Sequence, residues 1–330
     1  MNSLDNYMVS ILCFTFNHSR YIKEALDGVC NQKTNFPYVC IVLDDASTDG
    51  EQQLLKEYVG EYFNEVETET VKSAETDDYQ LIFAQNKVNH NCYFAVFLLK
   101  YNHFKKKNKE PYYSHILDKS KYIAICEGDD FWTDENKLAY QVCFLESHQD
   151  FSMCFHRAEI KKESPDLKVA IDCETIEDRE YSADEIFARW IVPTASILHR
   201  RDVTIKVAKN FLHSDIIRIL SCAESGRIMG SSRCMSIYRV NASSVTQNTS
   251  LQDAHCLSYP NHVRAIHENF SSVSKPAYKK LMTRRLFQRA FLYKRKSMIK
   301  CMLADLIEAY KVSIYYACRE TLKLFLGYPL

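Results

Sequence analysis

Hydrophobic residues over positions 8–132 alternate between the spacing of buried strands and the spacing of helices. Four apolar runs predict strands, at residues 8–16, 38–43, 81–84 and 122–126. Three segments with apolar residues at helical intervals predict helices, at residues 21–30, 54–59 and 92–101. Strands that alternate with helices over short links predict a parallel sheet with right-handed crossovers. Ligands bind beyond the carboxyl ends of such strands, so polar residues directly after them are the candidates for a site.

The pattern is less regular after residue 133. Further strands are predicted at residues 151–155, 195–198 and 234–240. Helices are predicted over residues 138–145, capped by Thr133 or Asp134, after the capping box Ser182–Glu185, and from Ile216 to a stop at Gly226. From about residue 250 the spacing is helical throughout. The sequence therefore predicts a sheet-containing domain over 1–245, with halves at 8–132 and 133–245, a helical region over 246–330, and an exposed lysine-rich insertion at 105–110.

Composition excludes several classes of protein. The 330 residues carry 42 Lys and Arg against 42 Asp and Glu, so whole-chain charge does not predict a nucleic-acid partner. Seven glycines form no Gly-x-Gly and no Gly-Lys-Ser or Gly-Lys-Thr, which argues against a Walker loop and a glycine-fingerprint dinucleotide site. Thirteen cysteines include no Cys-x-x-Cys pair, so neither a zinc ribbon nor a disulfide framework is predicted. The sequence has no leader pattern and no long uncharged apolar stretch, and we expect a cytoplasmic protein.

Two acidic clusters directly follow predicted strands. Asp44 and Asp45 follow the second strand, and the sequence Glu-Gly-Asp-Asp at 127–130 follows the fourth. If these strands are parallel, both clusters lie at one edge of the sheet, where carboxylates repel one another unless a cation or a donor-rich ligand compensates. Mg²⁺ or Mn²⁺ carrying a diphosphate fits such a site. The alternative is that these residues form only turns and helix caps.

Five segments, in order along the chain, carry a resemblance to a known family. They are Val9–Asn17, Tyr21–Leu26, Asn31–Gln32, Asp44–Gly50 and Tyr122–Trp132. Together they resemble the nucleotide-sugar domain of family 2 glycosyltransferases, over about residues 8–160 and more loosely over 180–245. The similarity is greatest to bacterial enzymes that build lipopolysaccharide, capsule or exopolysaccharide. It implies the α/β fold called GT-A, a mostly parallel sheet flanked by helices, followed here by a helical extension.

The resemblance also implies roles for residues of this chain. Contacts with the donor nucleotide would fall on Thr15, Phe16, Asn17, Asp44, Asp45 and Glu127. Asp45 would accept a hydrogen bond from the base. Glu127, where the family usually has Asp, would face the ribose or the donor sugar. Asp129, at the last position of the family's Asp-x-Asp motif, would bind Mn²⁺ or Mg²⁺.

Groups on the acceptor side are implied by the later segments. Asp215 would be the base that removes the proton of the acceptor hydroxyl in an inverting transfer, and the alternative is that Asp215 or Ser214 only caps a helix. Support for the metal or contact with the acceptor would come from Asp130, Trp132, His156 and Arg239. A structural role in the core stays open for Trp132 and His156. Asn241 replaces a histidine of the family, which leaves a further metal or phosphate contact at this position open.

Residues 275–300 contain ten basic side chains and no acidic one, interleaved with apolar residues. This pattern predicts either peripheral contact with the inner face of the cytoplasmic membrane or a helix packed on the catalytic domain with a solvated basic face.

The sequence thus predicts an inverting, divalent-metal-dependent glycosyltransferase. It would move a sugar from a nucleotide diphosphate donor to a glycan or lipid-linked acceptor in cell-surface polysaccharide synthesis. Two alternatives remain. One is a non-catalytic nucleotide- or sugar-binding protein of the same fold, and the other is a different metal–carboxylate enzyme such as a nucleotidyltransferase.

Overall fold

A computed structural model describes residues 6–103, 108–169, 171–242, 247 and 249–325. The strands are β1 (Tyr7–Thr15), β2 (Tyr38–Asp44), β3 (Phe63–Glu65), β4 (Ala74–Glu75), β5 (Tyr79–Asn86), β6 (Cys92–Leu99), β7 (Ser120–Ile125), β8 (Phe131–Trp132), β9 (Phe151–Lys162), β10 (Arg179–Glu180), β11 (Leu198–Arg200) and β12 (Arg227–Val240). The helices are α1 (Ile22–Cys30), α2 (Glu51–Tyr62), α3 (Glu110–Leu117), α4 (Lys137–Ser147), α5 (Ala183–Ala188), α6 (Ser214–Ser225), α7 (Thr249–Asn269), α8 (Lys275–Arg295), α9 (Ile299–Val312) and α10 (Ile314–Phe325).

The centre of the sheet consists of four neighbouring parallel strands in the order β7, β1, β2, β6. Successive residues of β2 point to opposite faces, so Val42 joins a core with α1, α2 and α4 while Ile41 joins a second core with α3. Both faces are therefore covered, and every residue of β2 and β6 is buried. Burial of each large aliphatic side chain contributes about 1.5–3 kcal/mol. This doubly covered centre is the parallel α/β sheet that the apolar runs predict.

Antiparallel strands extend the sheet on both sides of this centre. β5 pairs antiparallel with β6, and β11 pairs antiparallel with both β7 and β9. The long strands β9 and β12 pair parallel to one another, and the short β8 adds to β12. The sheet is therefore mixed, with its parallel part in the middle.

The predicted helix at 92–101 is wrong, because residues 92–99 form the central strand β6. The run Cys-Tyr-Phe-Ala-Val-Phe-Leu-Leu is apolar at every position, so it satisfies helical spacing and strand spacing equally. Its length of 8 residues and its aromatic and β-branched content favour a buried strand. Hydrophobic periodicity by itself does not distinguish these cases.

Other differences are local. Residues 105–107 of the predicted lysine-rich insertion at 105–110 lie outside the described residues. The helix α3, which begins at Glu110, buries Tyr113, Ile116 and Leu117. The segment 195–198 is a short 3₁₀ turn leading into β11. Neither Thr133 nor Asp134 is the N-cap of α4, since that helix begins at Lys137 with Asn136 at the cap. The predicted capping box at Ser182 and the stop at Gly226 are confirmed.

The C-terminal helices are not a separate layer. Leu286 and Phe287 of α8 share one core with Phe155 of β9 and Leu220 of α6. The predicted boundary between residues 245 and 246 lies outside the described residues. The division into a sheet-containing domain and a helical region therefore stays a prediction. Within the described residues, no helix combines the length and the apolar character needed to cross a bilayer.

Candidate functional site

The two acidic clusters emerge at one edge of the sheet, on either side of β1. Thr15 is in register with Asp44 on β2, and Leu12 is in register with Ile125 on β7. The backbone pairing continues beyond the strands, where Asp45 N donates to Thr15 O at 3.0 Å and Gly128 N donates to Phe14 O at 3.1 Å. Since neighbouring strands are about 4.8 Å apart, two acidic loops meet within about 10 Å. The predicted convergence of the clusters is confirmed.

The loop after β1 is fastened to the loop after β2. Asn17, in the left-handed region at φ 56°, donates its N–H to Ser47 Oγ at 2.8 Å and accepts from Thr48 N on Oδ1 at 2.8 Å. Asn tolerates this conformation better than most residues. The adjacent Phe16 has an exposed side chain, 42% accessible. The predicted nucleotide loop is thus fixed by hydrogen bonds to the loop after β2, and the ring of Phe16 is exposed to solvent.

A buried carboxylate that the sequence prediction missed organises this loop. Glu51, the first residue of α2, accepts from Thr15 Oγ1 at 2.5 Å, from His18 N at 2.8 Å and from Ser47 Oγ at 2.9 Å. Burial raises the pKa of Glu51, and these hydrogen bonds oppose that shift. An acidic residue in a first helical turn is ordinary in sequence, so only the tertiary fold shows that it lies under the loop.

Asp44 and Asp45 have different surroundings. Asp44 is fully buried, and its Oδ1 accepts from Ser47 N at 3.0 Å and from Gln52 Nε2 at 2.6 Å. This is the turn role that the sequence left open; Asp44 Oδ2 has no hydrogen-bond partner among the described residues, and the nucleotide contact of Asp44 stays a prediction. Asp45 accepts from His103 N at 2.8 Å on Oδ1 and from Lys109 Nζ at 3.1 Å on Oδ2. Its carboxylate therefore already serves as an acceptor for N–H donors.

The loop after β7 brings three carboxylates together. Partial burial raises the pKa of Glu127 well above its usual value, and the Asp215 carboxylate adds the largest charge effect, followed by Asp129 and Asp130. Asp129 is about one fifth exposed, and its Oδ2 lies 3.3 Å from Asn241 Nδ2 and 4.0 Å from His18 Nε2. Glu127 and Asp129 thus border a common acidic space.

Asp215 lies in the first turn of α6. The N-cap of α6 is His213, and it makes no side-chain capping bond. The alternative that Asp215 or Ser214 is the cap residue is therefore wrong. The Asp215 carboxylate accepts from Ser214 Oγ at 3.1 Å and is close enough to Glu127 to raise its pKa. The fold thus brings together a helix start and a strand end that are 88 positions apart in sequence (215 minus 127).

The four candidate support residues point into the protein. Asp130 is buried, and its Oδ1 accepts from Arg239 N at 2.8 Å. The guanidinium of Arg239 donates from Nε to the backbone oxygen of Asp129 at 2.8 Å and pairs with Glu24. These two residues hold the end of β12 against the acidic loop, so their expected contacts with a metal water shell or a phosphate are not supported.

Trp132 and His156 are core residues. Trp132 donates from Nε1 to Ala195 O at 2.8 Å, and the ammonium of Lys137 lies 4.0 Å from its ring centroid. His156 is fully buried on β9, and burial lowers its pKa well below the usual range. The sequence left this structural role open for both residues, and neither side chain reaches an acceptor surface.

Among the described residues, no three His, Cys, Asp or Glu side chains form a cluster that would hold a metal ion by themselves. A magnesium-type ion commonly takes only one or two protein ligands when substrate phosphates and water complete its coordination. Asp129, partly exposed and facing the acidic space, suits that role.

Gly128 is required by packing within the site. A Cβ at this position would lie 2.3 Å from Thr15 Oγ1 and 3.0 Å from Ile22 Cδ1. The chain's own Thr15 therefore explains why this position has no side chain. The glycine allows the loop after β7 to lie directly on the end of β1.

Comparisons with known proteins agree with this architecture. Residues 10–70 match the model of Glycosyl transferase family 2. The uncharacterised protein Rv1520 of Mycobacterium tuberculosis is 29% identical over 242 residues, which is 71% of this chain and 59% of that protein. The match thus spans less than two thirds of the length of this curated relative.

Two solved structures share the fold. S. aureus TarS 1–349 in complex with UDP-GlcNAc has a TM-score of 0.53 at 14% identity, over 85% of this chain and 72% of that chain. The mannosyltransferase PcManGT from Pyrobaculum calidifontis, in complex with GDP-Man and Mn²⁺, has a TM-score of 0.52 at 13% identity, over 98% and 82%. The match of residues 10–70 supports the predicted family, and the predicted GT-A fold class is confirmed.

Replacing Gly128 with Ala tests the close packing of the two loops. The added Cβ would force Thr15 or the loop to shift, and we expect a loss of about 1–3 kcal/mol in the free energy of unfolding, measured with urea. Gly60→Ala is the matched control, because Gly60 lies in α2 with nothing within 4 Å of an added Cβ. That change should instead stabilise the protein by about 0.4–1 kcal/mol. Equal effects of the two substitutions would contradict the packing described here.

Proposed function

We propose that this chain, whose residues 10–70 match the model of Glycosyl transferase family 2, is an inverting, divalent-metal-dependent glycosyltransferase. The donor is a nucleotide diphosphate sugar, and the acceptor is a glycan or a lipid-linked saccharide of cell-surface polysaccharide synthesis. One observation supports this proposal most strongly. Asp129 beyond β7 and Asp215 at the start of α6 both act electrostatically on Glu127, so a donor-side carboxylate and an acceptor-side carboxylate border one space.

The nucleotide would occupy the edge at β1 and β2. Asp45 would accept an N–H of the base, in competition with the Lys109 ammonium 3.1 Å from its Oδ2. Thr15, Phe16 and Asn17 form the loop above β1, where the exposed Phe16 ring offers an apolar surface. The structural neighbours TarS and PcManGT were solved in complex with UDP-GlcNAc and with GDP-Man, respectively. These complexes support a nucleotide diphosphate sugar as the class of donor.

The residues of the acidic loop fit a divalent cation carried by the diphosphate. Asp129 would hold Mn²⁺ or Mg²⁺ through its partly exposed carboxylate, and Asn241 Nδ2 at 3.3 Å orients that carboxylate. When bound, the cation stabilises the charge that develops on the leaving diphosphate. Glu127 would contact the ribose or the donor sugar from the opposite side of the loop.

The reaction is a single displacement at the anomeric carbon. Asp215 accepts the proton of the acceptor hydroxyl as its oxygen bonds to that carbon, and the bond to the diphosphate oxygen breaks on the opposite face. The products are the extended glycan with inverted configuration, a nucleoside diphosphate and a protonated Asp215, which returns its proton to water. Such general-base assistance contributes about 10²–10⁴-fold in rate.

The proposed membrane-contacting surface lies on the C-terminal helices α9 and α10. The sequence predicted this contact for the neighbouring residues 275–300. The apolar residues of α8 are buried in the core, including Leu281, Leu286, Phe287 and Ala290, so this helix does not offer an apolar face to a bilayer. Exposed apolar side chains lie instead on α9 and α10, at Ile299, Leu303, Ile307, Tyr310, Ile314, Tyr315 and Leu322. We call these seven residues the apolar face.

Charge complementarity favours an anionic bilayer as the occupant of this face. A groove of about 860 Å³ is lined by Leu303, Ile307 and Ile314 of the apolar face together with Lys279 and Lys311. Apolar side chains that insert at the headgroup level and lysines that pair with lipid phosphates are the features of an interfacial helix. An acceptor anchored in that membrane would then reach Asp215 from the membrane side.

Donor binding is the first property to measure. With UDP, GDP, CMP and dTDP in turn, we expect one nucleoside diphosphate to raise the melting temperature only when Mn²⁺ is present, since a ligand at 100 times its Kd stabilises by about 2.7 kcal/mol. Asp129→Asn should remove the Mn²⁺-dependent part. Asp202→Asn, an exposed aspartate at the opposite end of the sheet, should retain it. No response to any nucleotide, or an unchanged response in Asp129→Asn, would contradict the proposal.

Replacing Asp215 should affect turnover of the sugar donor but not binding of the nucleotide. In Asp215→Asn we expect the Kd for the Mn²⁺–nucleotide complex to stay the same while kcat falls about 10²–10⁴-fold, because only proton removal is lost. The assay is release of the nucleoside diphosphate from the matching sugar donor, with Asp202→Asn as the control. Full turnover in Asp215→Asn would exclude it as the base, and binding without turnover in the unaltered protein would favour the non-catalytic alternative.

Vesicle sedimentation tests the membrane contact. We expect the protein to pellet with vesicles that contain phosphatidylglycerol, less so at high salt, and not with phosphatidylcholine alone. Leu303→Asp/Ile307→Asp should abolish pelleting. Val88→Asp and Val207→Asp, which alter even more exposed apolar residues elsewhere, should not. If the unaltered protein does not pellet with anionic vesicles, the membrane assignment is overturned. It is also overturned if sedimentation velocity shows a dimer that only Leu303→Asp/Ile307→Asp disrupts.

A further inference from the structure

A histidine that the sequence prediction did not single out faces the proposed metal ligand. His18 follows the predicted nucleotide loop, and its side chain is about one fifth exposed. Its Nε2 lies 4.0 Å from Asp129 Oδ2, and its Nδ1 lies 3.2 Å from Thr15 Oγ1. The imidazole therefore lies between a buried hydrogen-bond network on one side and the acidic space on the other.

The hydrogen bonds of Thr15 define which nitrogen of His18 carries the proton. Thr15 has one hydroxyl proton, and it donates that proton to Glu51 Oε1 at 2.5 Å. The contact between His18 Nδ1 and Thr15 Oγ1 is then made by Nδ1–H donating to the hydroxyl oxygen. In the neutral imidazole this leaves the lone pair on Nε2, the nitrogen directed at Asp129.

Two electron-pair donors thus face each other across 4.0 Å. This separation is too long for a hydrogen bond between His18 Nε2 and Asp129 Oδ2. It is wide enough for one cation that contacts both atoms, since Mg²⁺-type ions bind their ligands at about 2.0–2.1 Å. Asn241 Nδ2 donates to the same Asp129 oxygen at 3.3 Å, and a cation between Asp129 and the neutral imidazole would add a ligand contact to both side chains.

The surroundings of His18 match those of a metal-binding histidine. Such histidines donate the other ring N–H to a carboxylate, carbonyl or similar acceptor, which orients the ring and makes the free nitrogen more basic. Here Nδ1–H reaches the buried Glu51 carboxylate through the Thr15 hydroxyl. Glu51 also accepts from the backbone N–H of His18 at 2.8 Å, so one carboxylate positions both the ring and the main chain.

We propose that His18 is a second protein ligand of the divalent cation, binding it through Nε2 while Asp129 binds it through Oδ2. This inference rests on the proposed function, because diphosphate and water oxygens complete the coordination. An imidazole nitrogen is a poorer ligand for Mg²⁺ than for transition metals such as Mn²⁺, which stand higher in the affinity series. His18 thus gives the site a preference for Mn²⁺ over Mg²⁺, and Glu51 and Thr15 are positioning residues for it.

Pulsed electron paramagnetic resonance of bound Mn²⁺ tests this assignment without an activity assay. The unaltered protein with Mn²⁺ and either UDP or GDP should show the ¹⁴N modulation of a directly bound imidazole. His18→Asn should lose that modulation and bind Mn²⁺ at least ~10-fold more weakly. His90→Asn is the matched control, because His90 is exposed at the opposite edge of the sheet, just before β6, and should change neither property.

His18→Asp supplies a second, independent readout. It restores an oxygen ligand, so it should bind the cation without the nitrogen signal and with a lower ratio of Mn²⁺ to Mg²⁺ affinity than the unaltered protein. Bound Mn²⁺–nucleotide with no nitrogen modulation in the unaltered protein, or an unchanged affinity ratio in His18→Asp, would overturn the role of His18 and leave the proposed function intact. Failure of the unaltered protein to bind Mn²⁺ with any of UDP, GDP, CMP and dTDP would overturn both.

Discussion

Repulsion among carboxylates at one edge of a parallel sheet is the constraint on which the site depends. The register of β1 with β2 and with β7 directs two acidic loops to the same edge, and α6 adds a further carboxylate from a distant part of the sequence. Burial raises the pKa of Glu127, and the neighbouring carboxylates of Asp215, Asp129 and Asp130 raise it further. A protein that retains such an arrangement gains from it only when a cation or a ligand rich in hydrogen-bond donors compensates the charge.

The site is built from two classes of acidic residue with opposite roles. Asp44, Glu51 and Asp130 are buried and accept hydrogen bonds from the chain itself, so they shape and fasten the loops. Asp129 and Asp215 are partly exposed and border the open space. The hydrogen bonds that the chain donates to these buried carboxylates fasten the loops, and the fastened loops hold the second class in position.

The sequence predicted an element correctly where capping residues or apolar runs are specific to one structure. It predicted wrongly where one pattern fits more than one structure. The parallel strands β1, β2 and β7 and the capping box at Ser182 followed directly from the residues. Residues 92–99 did not, since a wholly apolar run fits a buried strand and a buried helix equally. Trp132, His156 and Arg239 resembled site residues because polar or aromatic groups after strands often bind ligands, yet the alternation along β8, β9 and β12 turns them inward.

By itself, the sequence determined the strands β1, β2 and β7, the two acidic clusters and the family that their motifs resemble. Those features depend on residue identity and on spacing along the chain, which local steric and hydrophobic rules can interpret. Only the tertiary structure decided that Glu51 lies under the loop, that Asp215 faces Glu127 and that His18 faces Asp129. These pairings join residues from separate elements, and no pattern along the chain determines which side chains the packing of sheet and helices brings into contact.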